Sequence, residues 1–503
     1  MTETTRYHPL LVLFRLWKLV KNSIFFVVYL FIIKADSESA FVEYGRLLFF
    51  AVFGIIFISI ILKWFTHKYK LDDQSFHLYN GIFSKSERTI PFSSIQNVNR
   101  HTSLFHRMFH VTSTSFETGM TGEEAGVKFE VISQLDSERI QAHIARADHS
   151  GPTTVSPDVA NIELSSQKET ERVSLNRTTH FKPSKLSILK ASFTSLSFLV
   201  LVPIIGSFYF KIDEIFHVKE EAEGLFSAVM SSAWLVIVIT IILVAASAVF
   251  GIVRTFLKYG KYHISSDNER IYITKGIIEE TTFSISKDKV QAIEINQSIM
   301  KRLLGLAEVK LISAGSLSLG EDTLEINSLY PFLPVKRAYE MISEILPTYE
   351  VTSKMTRLPV KSLWVRMFKP SWIWITATAA LFYFKPAVLG MEQAWWILSA
   401  VLFITIKGIR VLDFLNTRYT LNDRFVQFKT GSLTTCLFVS KRDKIIEVKV
   451  TRNILQKMAG LASIGTINRA KPVRHAGVSD VPLEMAASLY KWYMERRREI
   501  EVE

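Results

Sequence analysis

The sequence lacks the residues and motifs on which most enzymatic sites depend. Cys436 is the single cysteine in 503 residues, so an internal disulfide and a cysteine zinc cluster are both excluded. The sequence contains neither a GxxxxGKS/T phosphate loop nor a GxSxG nucleophile elbow. We therefore predict a protein without enzymatic activity and without a cofactor.

Apolar residues and cations are abundant by comparison. Hydrophobic residues make up 48% of the chain, 36 residues are Phe, and the mean hydropathy is +0.20. This apolar content exceeds what a soluble protein of this length needs for its cores, which indicates that part of the chain lies in a bilayer. The net charge is +13, and the cations lie beside apolar runs and not on one soluble face. We therefore expect an anionic membrane leaflet, and no nucleic acid, as the partner of the cations.

The hydrophobic segments come in three pairs: 17–33 with 47–65, 188–210 with 225–253, and 372–389 with 395–406. A helix needs about 20 residues to cross about 30 Å of hydrocarbon, and most of these segments are long enough. The first is the weakest, because Lys18 and Lys21 leave only 23–33 free of charge. A cleavable signal peptide is the competing interpretation, but 34–38 contains no good small-x-small cleavage site, so we expect an uncleaved anchor.

Lys and Arg flank the outer ends of each pair, while the loops inside the first two pairs are short and rich in Asp and Glu. Under the positive-inside rule, every loop within a pair is then outside the cell. The sequence therefore predicts a multi-pass protein of the plasma membrane, with both termini and three intervening domains in the cytoplasm.

The three intervening domains are copies of one unit. Gly81, Gly276 and Gly431 begin an ungapped match in which Ser103, Ser298 and Asn453 lie 22 residues later, and Arg107, Arg302 and Lys457 lie 26 residues later. At 29 residues the copies have His110, Gly305 and Gly460. An N-cap residue, a cation near the last turn and a left-handed stop are typical of one short helix. Runs that alternate apolar and polar residues, such as 270–274 and 290–295, predict antiparallel strands, and a helix closes each copy at 137–146, 334–345 and 483–498.

This order of membrane pair, strands, Gly, capped turn and closing helix resembles the bacterial pleckstrin-homology-like (PH-like) membrane proteins of the YdbS/YdbT type. The most specific matching segments are 287–291, 301–306 and 457–461, and three copies fit the larger, YdbT-like member. The resemblance implies transmembrane hairpins plus three small antiparallel β PH-like domains, each capped by a C-terminal helix. It also implies a smaller PH-like membrane protein of the same family as a partner, but no reaction.

From these patterns we predict eight segments. They are hairpin 1 at 1–65, PH-like domain 1 at 66–147, a flexible linker at 148–184, hairpin 2 at 185–256, PH-like domain 2 at 257–347, a linker at 348–370, hairpin 3 at 371–412, and PH-like domain 3 at 413–503. The linker at 148–184 is rich in Ser, Thr, Pro and acidic residues and has little periodicity.

Two other interpretations are less favoured. His106 and His110 have the i, i+4 spacing of a zinc helix, but Arg107 stands where a metalloprotease has its Glu base, and the other copies lack the pair. We therefore expect no metal. Lys190 and Lys385 lie within apolar segments, as charged residues do in a transporter or exporter, but both are near segment ends where a lysine reaches the headgroups. A transporter remains the alternative to a membrane scaffold.

Basic residues of the second and third copies are the candidate binding site. We expect them to bind anionic lipid or a partner protein, with a solvated basic rim as the simpler alternative. They are Lys287, Lys289, Lys301, Arg302, Lys441, Arg442, Lys444, Arg452 and Lys457. Five glycines are expected at structural turns: Gly81, Gly276, Gly305, Gly431 and Gly460. The proposed role is envelope integrity or resistance to membrane-active agents.

Overall fold

The computed structural model describes residues 4–34, 39–72, 74–81, 85–118, 126–149, 177–194, 233–313, 328–385, 394–470 and 472–496. The outward loop predicted at 212–224, most of the third hydrophobic segment and most of the 148–184 linker lie outside these residues. Packing divides the chain into two units. The first contains 1–176 with 278–285, and the second contains 177–277 with 286–503.

The first unit holds the first repeat and two antiparallel sheets. Its helices and strands are β1 (Thr5–Arg6), α1 (Leu10–Val27, continued as a π-helix over Val28–Ile33), α2 (Ala40–Thr66), β2 (Lys68–Leu71), β3 (Ser75–Asn80), β4 (Ser86–Pro91), β5 (Ile95–Thr102), α3 (Leu104–Met108), β6 (Val111–Thr118), β7 (Gly126–Ser133) and α4 (Gln134–His149). Strands β1 to β4 form one sheet in chain order, and β5, β6 and β7 form the second. Buried rings of Phe76, Phe92, Phe116 and Phe129 pack between the sheets, and Ile140 and Ile144 of α4 close this core.

The second repeat begins with β8 (Thr178–Phe181), α5 (Lys185–Thr194) and α6 (Ala233–Tyr259). It continues with β9 (His263–Ser266), β10 (Arg270–Lys275), β11 (Glu280–Ser286), β12 (Val290–Gln297), α7 (Ile299–Leu303), β13 (Leu306–Ser313), β14 (Ser328–Pro334) and α8 (Val335–Ile345). Burial of the apolar face of α8, with Ala338, Met341, Ile342 and Ile345 inside, explains why this helix packs onto β13 and β14.

The third repeat has the same order. Its elements are β15 (Thr356–Arg357), α9 (Val360–Phe368), α10 (Trp372–Phe384), α11 (Ala394–Asn416), β16 (Arg418–Leu421), β17 (Phe425–Thr430), β18 (Thr435–Lys441), β19 (Ile445–Thr451), α12 (Ile454–Ala459), β20 (Leu461–Asn468), β21 (Arg474–Pro482) and α13 (Leu483–Met494). Trp492 and Leu489 of α13 are buried against the sheet residues Val426 and Phe428. All three repeats are therefore built from antiparallel sheets closed by a C-terminal helix, as the sequence predicted.

Two predicted linkers contain regular structure. Residues 178–181, at the end of the 148–184 segment, form β8 and pair with β9. The 348–370 segment contains β15, which pairs with β16, and the helix α9. These differences have one cause: each strand has a neighbour far along the chain, which a local pattern of polar residues does not reveal.

A strand of each later repeat joins the sheet of the repeat before it. Strand β11 pairs with β5 of the first repeat, and β18 pairs with β12 of the second. The register is the same in both cases: Val98 lies opposite Ser284 and Ile293 lies opposite Val439, which are equivalent repeat positions. The repeats therefore share strand edges in a fixed register.

Within the described residues, one helix is long and apolar enough to cross a membrane. This helix is α2, whose most apolar stretch has a mean hydropathy of 2.5 and contains no buried residue. The first helix of the third pair, α10, has 13 residues and ends at Lys385, whose φ of 41° is left-handed. That helix is shorter than the segment predicted at 372–389. Of the helices predicted for the three hairpins, α2 alone is therefore long and apolar enough to span a membrane within the described residues.

Candidate functional site

The three capped helices α3, α7 and α12 occupy the same place in each repeat. Each begins at a side-chain N-cap: Ser103 accepts from the amide of His106, Ser298 from Lys301, and Asn453 from Gln456. Each stops at a left-handed residue, with φ of 54° at His110, 67° at Gly305 and 69° at Gly460. The strand–helix–strand connection therefore has one geometry in all repeats, although its first copy has His where the others have Gly.

Each capped helix exposes two large apolar side chains one turn apart. They are Leu104 and Met108 in α3, Ile299 and Leu303 in α7, and Ile454 and Met458 in α12. Met108, Leu303 and Met458 are 74%, 75% and 82% exposed. A cation precedes each of these three, namely Arg107, Arg302 and Lys457, all exposed. Single exposed apolar residues are ordinary, but here an i, i+4 apolar pair beside a cation recurs in all three copies.

The capped helices contact the helices that lead into the hydrophobic segments. In the first repeat, the ring of Phe14 in α1 lies 5.9 Å from Phe105 and 4.9 Å from His106 of α3. In the second repeat α7 packs on α5, and in the third α12 packs on α9. The exposed apolar pairs therefore lie next to the segments that begin each predicted membrane pair.

A buried ion-pair network fixes this arrangement in the third repeat. Asp480 is fully buried and left-handed, with φ of 66°, and its carboxylate accepts from Arg366 Nε at 3.1 Å and from Gln456 Nε2 at 2.7 Å. Arg366 Nη1 also pairs with Asp413 Oδ2 at 2.6 Å. The Ser362 hydroxyl donates to the carbonyl of Asp480. Because these residues belong to α9, α11, α12 and β21, the network ties the capped helix α12 to both α9 and α11.

The basic turns of the second and third repeats lie together. Lys287–Lys289 and Arg442–Lys444 each form a 3-10 turn, and Lys444 Nζ donates to the carbonyl of Asp288 at 3.1 Å. Burial lowers the pKa of Lys287 and of Lys441 below the usual value for lysine. Lys441 lies 4.6 Å from the Tyr349 ring centroid. Both shifts come mainly from desolvation, and nearby acidic groups, Asp267 for Lys287 and Asp443 with Asp288 for Lys441, act in the opposite direction.

The model of a family described as "Bacterial PH domain" matches residues 23–148, 201–347 and 374–497. The chain belongs to the bacterial PH domain family. Over 98% of both chains it is 24% identical to the UPF0699 transmembrane protein YdbT of Bacillus subtilis (strain 168). No solved structure matches the chain. The PH-domain repeats and the relationship to YdbT agree with the resemblance read from the sequence.

The nine predicted basic residues form two groups according to their position in the structure. The first group lies on or directly before the two neighbouring 3-10 turns, where Asp288 and Asp443 alternate with the cations. Its members are Lys287, Lys289, Lys441, Arg442 and Lys444. Arg442 contacts Trp492 in two ways. Its Nη1 donates to the Trp492 carbonyl at 3.4 Å, and its guanidinium lies 5.8 Å from the Trp492 ring centroid. Lys289 is exposed.

The other four basic residues lie on or beside capped helices. Lys301 Nζ pairs with Glu308 at 3.0 Å, and Arg302 Nη2 donates to Thr435 Oγ1 at 3.1 Å. Arg452 donates to the carbonyls of Leu461 at 3.1 Å and Lys457 at 3.5 Å, so it supports the turn around α12. Lys457 is exposed beside Met458. Arg302 and Lys457 are therefore the two of this group that are exposed beside an exposed apolar residue of a capped helix.

His106, one of the two histidines with zinc-helix spacing, has both ring nitrogens within hydrogen-bond distance of other groups. His106 is buried, with Nε2 hydrogen bonded to the Glu130 carbonyl at 2.9 Å and Nδ1 to Ser103 Oγ at 2.7 Å. Burial lowers the pKa of His106 below its usual value. The imidazole is therefore part of the packing between the capped helix and β7.

Sequence reasoning missed the exposed apolar pairs and the Asp480 network. The pairs had a usable signal, since all three copies have a large apolar residue 23 and 27 residues after the repeat glycine. Asp480 had none, because a single acidic residue in a strand looks like a solvent-facing residue until its distant partners are known.

Proposed function

We propose that this protein is a non-enzymatic, multi-pass membrane scaffold whose three PH domains lie against the cytoplasmic leaflet. The observation that carries the proposal is the apolar pair and neighbouring cation on every capped helix, beside the start of every predicted membrane pair. Full burial of one Leu or Met side chain contributes up to about 1.5–3 kcal/mol, and one cation at an anionic surface about 1 kcal/mol. Three such helices on one chain add their weak affinities through effective concentration.

The proposed topology has three hairpins, with both termini and all PH domains in the cytoplasm. The flanking lysines and arginines support it, as do the apolar and exposed surface of α2 and the word "transmembrane" in the name of the Bacillus relative. In this arrangement the PH domains are held at the bilayer, and the capped helices need to penetrate only its interface.

The basic turns at 287–289 and 442–444 are proposed to add diffuse attraction to anionic lipid. A partner membrane protein of the same family, which would engage the remaining PH-domain surfaces, is the second element of the scaffold. We propose that the assembly supports envelope integrity or resistance to membrane-active agents.

A scaffold is favoured over the alternative, a transporter or exporter, by the positions of two lysines. Lys385 ends α10 with Nζ 5.4 Å from the Phe382 ring centroid, and Lys190 is exposed near the cytoplasmic start of its segment. Both positions fit side chains that extend toward headgroups.

Hydrogen exchange of the full chain in nanodiscs tests this function. We expect the amides of α7 and α12 to exchange more slowly in discs that contain anionic lipid than in zwitterionic discs, and the difference to shrink at high salt. Charge reversal at Lys287, Lys289, Lys441 and Lys444 should remove most of the difference. Arg442 is left unchanged because it contacts Trp492. Equal exchange in the two kinds of disc at low salt would reject the lipid contact.

A further inference from the structure

One edge of strand β19 in the third PH domain is paired with no described strand. The equivalent strands β5 and β12 are each covered by a strand of the next repeat, whereas β19 pairs with β20 alone among the described strands. The exposures of equivalent residues show the effect: Ile295 of β12 is 4% exposed, and Val450 of β19 is 39% exposed. Ile446 is 56% exposed. Among the described strands this edge is therefore unpaired, whereas the two equivalent edges are covered, and an unpaired edge is a template for another strand.

We infer that β19 pairs with β19 of a second copy of this chain, antiparallel about a two-fold axis at Val448. In that register Val448 lies opposite Val448 of the second copy. Glu447 lies opposite Lys449, and Lys449 lies opposite Glu447. The two strands would extend the β19–β20–β21 sheet into one six-stranded sheet across the dimer.

The side chains of β19 are self-complementary in this arrangement. Val448 and Val450 share one face, and Val448 already packs on the core of the domain, while Ile446 lies at a register irregularity between Ile445 and Glu447. Glu447 and Lys449 are exposed on the other face, where the pairing forms two opposite-charge contacts. Opposite charges and β-branched pairs directly across two antiparallel strands are the stabilising combinations. The pairing is also isologous, so it closes as a dimer that uses the β19 edge of both copies.

The main competing occupant is β4 of a second copy, the other open edge of this kind. The register used twice within the chain would place Val448 opposite Thr89, because these residues are equivalent to Val98 and Ser284. Lys449 would then face Arg88, and Val450 would face Glu87. Where the chain itself makes this contact, Ile295 faces Leu437, an apolar pair. The like charges of Lys449 and Arg88, and the apolar–acidic pair of Val450 and Glu87, therefore favour β19 over β4 as the partner.

The inference does not depend on lipid binding. Two side chains in and just after α13 reach the beginning of the β19 edge. Tyr493 donates to the Ile446 carbonyl, and Arg496 Nη1 donates to the Ile445 carbonyl at 2.6 Å. Residues 447–451 extend beyond these contacts.

Charge reversal and charge exchange in the full chain test the inference. Two differently tagged copies, co-expressed and extracted in mild detergent, should co-purify. Glu447→Lys or Lys449→Glu in both copies places like charges opposite each other twice and should lower co-purification at least tenfold. Co-expression of the Glu447→Lys copy with the Lys449→Glu copy restores both opposite-charge contacts and should restore co-purification, as should the double exchange E447K/K449E. Recovery in the mixed pair also shows that each single variant folds.

A cysteine at the two-fold axis gives an independent readout. In a Cys436→Ala background, Val448→Cys should form a disulfide-linked dimer in membranes under mild oxidation, because directly opposite residues have Cα atoms within disulfide range. Thr89→Cys serves as the matched edge-strand control and should not crosslink to Val448→Cys. A V448C–T89C crosslink would replace the inferred dimer with a head-to-tail chain. A dimer that forms only after deletion of 497–503 would make that segment the occupant of the edge. Monomers in every arm would identify Glu447 and Lys449 as charges that protect the edge from pairing.

Discussion

Asp480→Asn is the most informative single substitution, because it removes one charge and keeps the shape of the residue. Asn tolerates the left-handed φ of 66°, so the substitution adds little backbone strain. Arg366 Nε and Gln456 Nε2 both donate to the Asp480 carboxylate. The oxygen of an asparagine amide can accept from one of these donors, but its NH2 group then points at the other donor and forms no hydrogen bond with it. Arg366, with 7% of its side chain exposed, then keeps only Asp413 as an ionic partner.

Loss of one partner from a buried ion pair costs about 3–5 kcal/mol, and the remaining Asp413 contact places this case near about 3 kcal/mol. Hydrogen exchange of the full chain measures the effect in the third domain alone: protection of β20 amides should fall roughly 150-fold. The double variant Asp480→Asn with Arg366→Met should lose much less than the sum of the single variants. Wild-type protection in Asp480→Asn would refute the network as the element that holds α12 against α9 and α11.

Three further results are expected. Gly460→Ala should lower the free energy of unfolding by about 1–2 kcal/mol. A Cβ at this position meets no atom within 4 Å, so the loss comes from the left-handed φ alone. Gly431→Ala should lower it more, because its Cβ would lie 2.0 Å from the Thr434 carbonyl oxygen. Equal melting shifts for the two variants would contradict this distinction. Burial raises the pKa of Cys436 to about 12, so at pH 8 its thiol stays protonated and should react with iodoacetamide much more slowly than a model thiol until the protein is unfolded. Reporter fusions at 35–45, 212–224 and 386–393 should be extracellular, and a cytoplasmic signal from any of them would overturn the hairpin proposed for that pair.

The repeat spacing predicted the local structure of the three copies because the determinants of a capped helix lie within a few residues. Ser103, Ser298 and Asn453 cap their helices, and His110 adopts the left-handed conformation that Gly305 and Gly460 adopt more easily. The alternating runs likewise predicted strands such as β10 and β12.

Contacts between distant residues could not be predicted from these patterns. The sharing of β11 with β5, and of β18 with β12, depends on pairing between repeats that have the same alternation of residues. Helix α9 lies in a segment predicted as a linker because its buried Arg366 looks like a flanking cation until Asp480, 114 residues later, is placed beside it. The basic turns came together because of that same long-range packing.

The depth of Met458 in the bilayer tests the scaffold account most directly. A spin label on Met458→Cys, in a Cys436→Ala full chain reconstituted with anionic lipid, should be more accessible to dissolved oxygen than to a polar nickel complex. A label on Tyr490→Cys, an exposed position on α13, serves as the control and should be more accessible to the nickel complex. Equal and high accessibility of both labels to the nickel complex would place α12 in water and contradict the account.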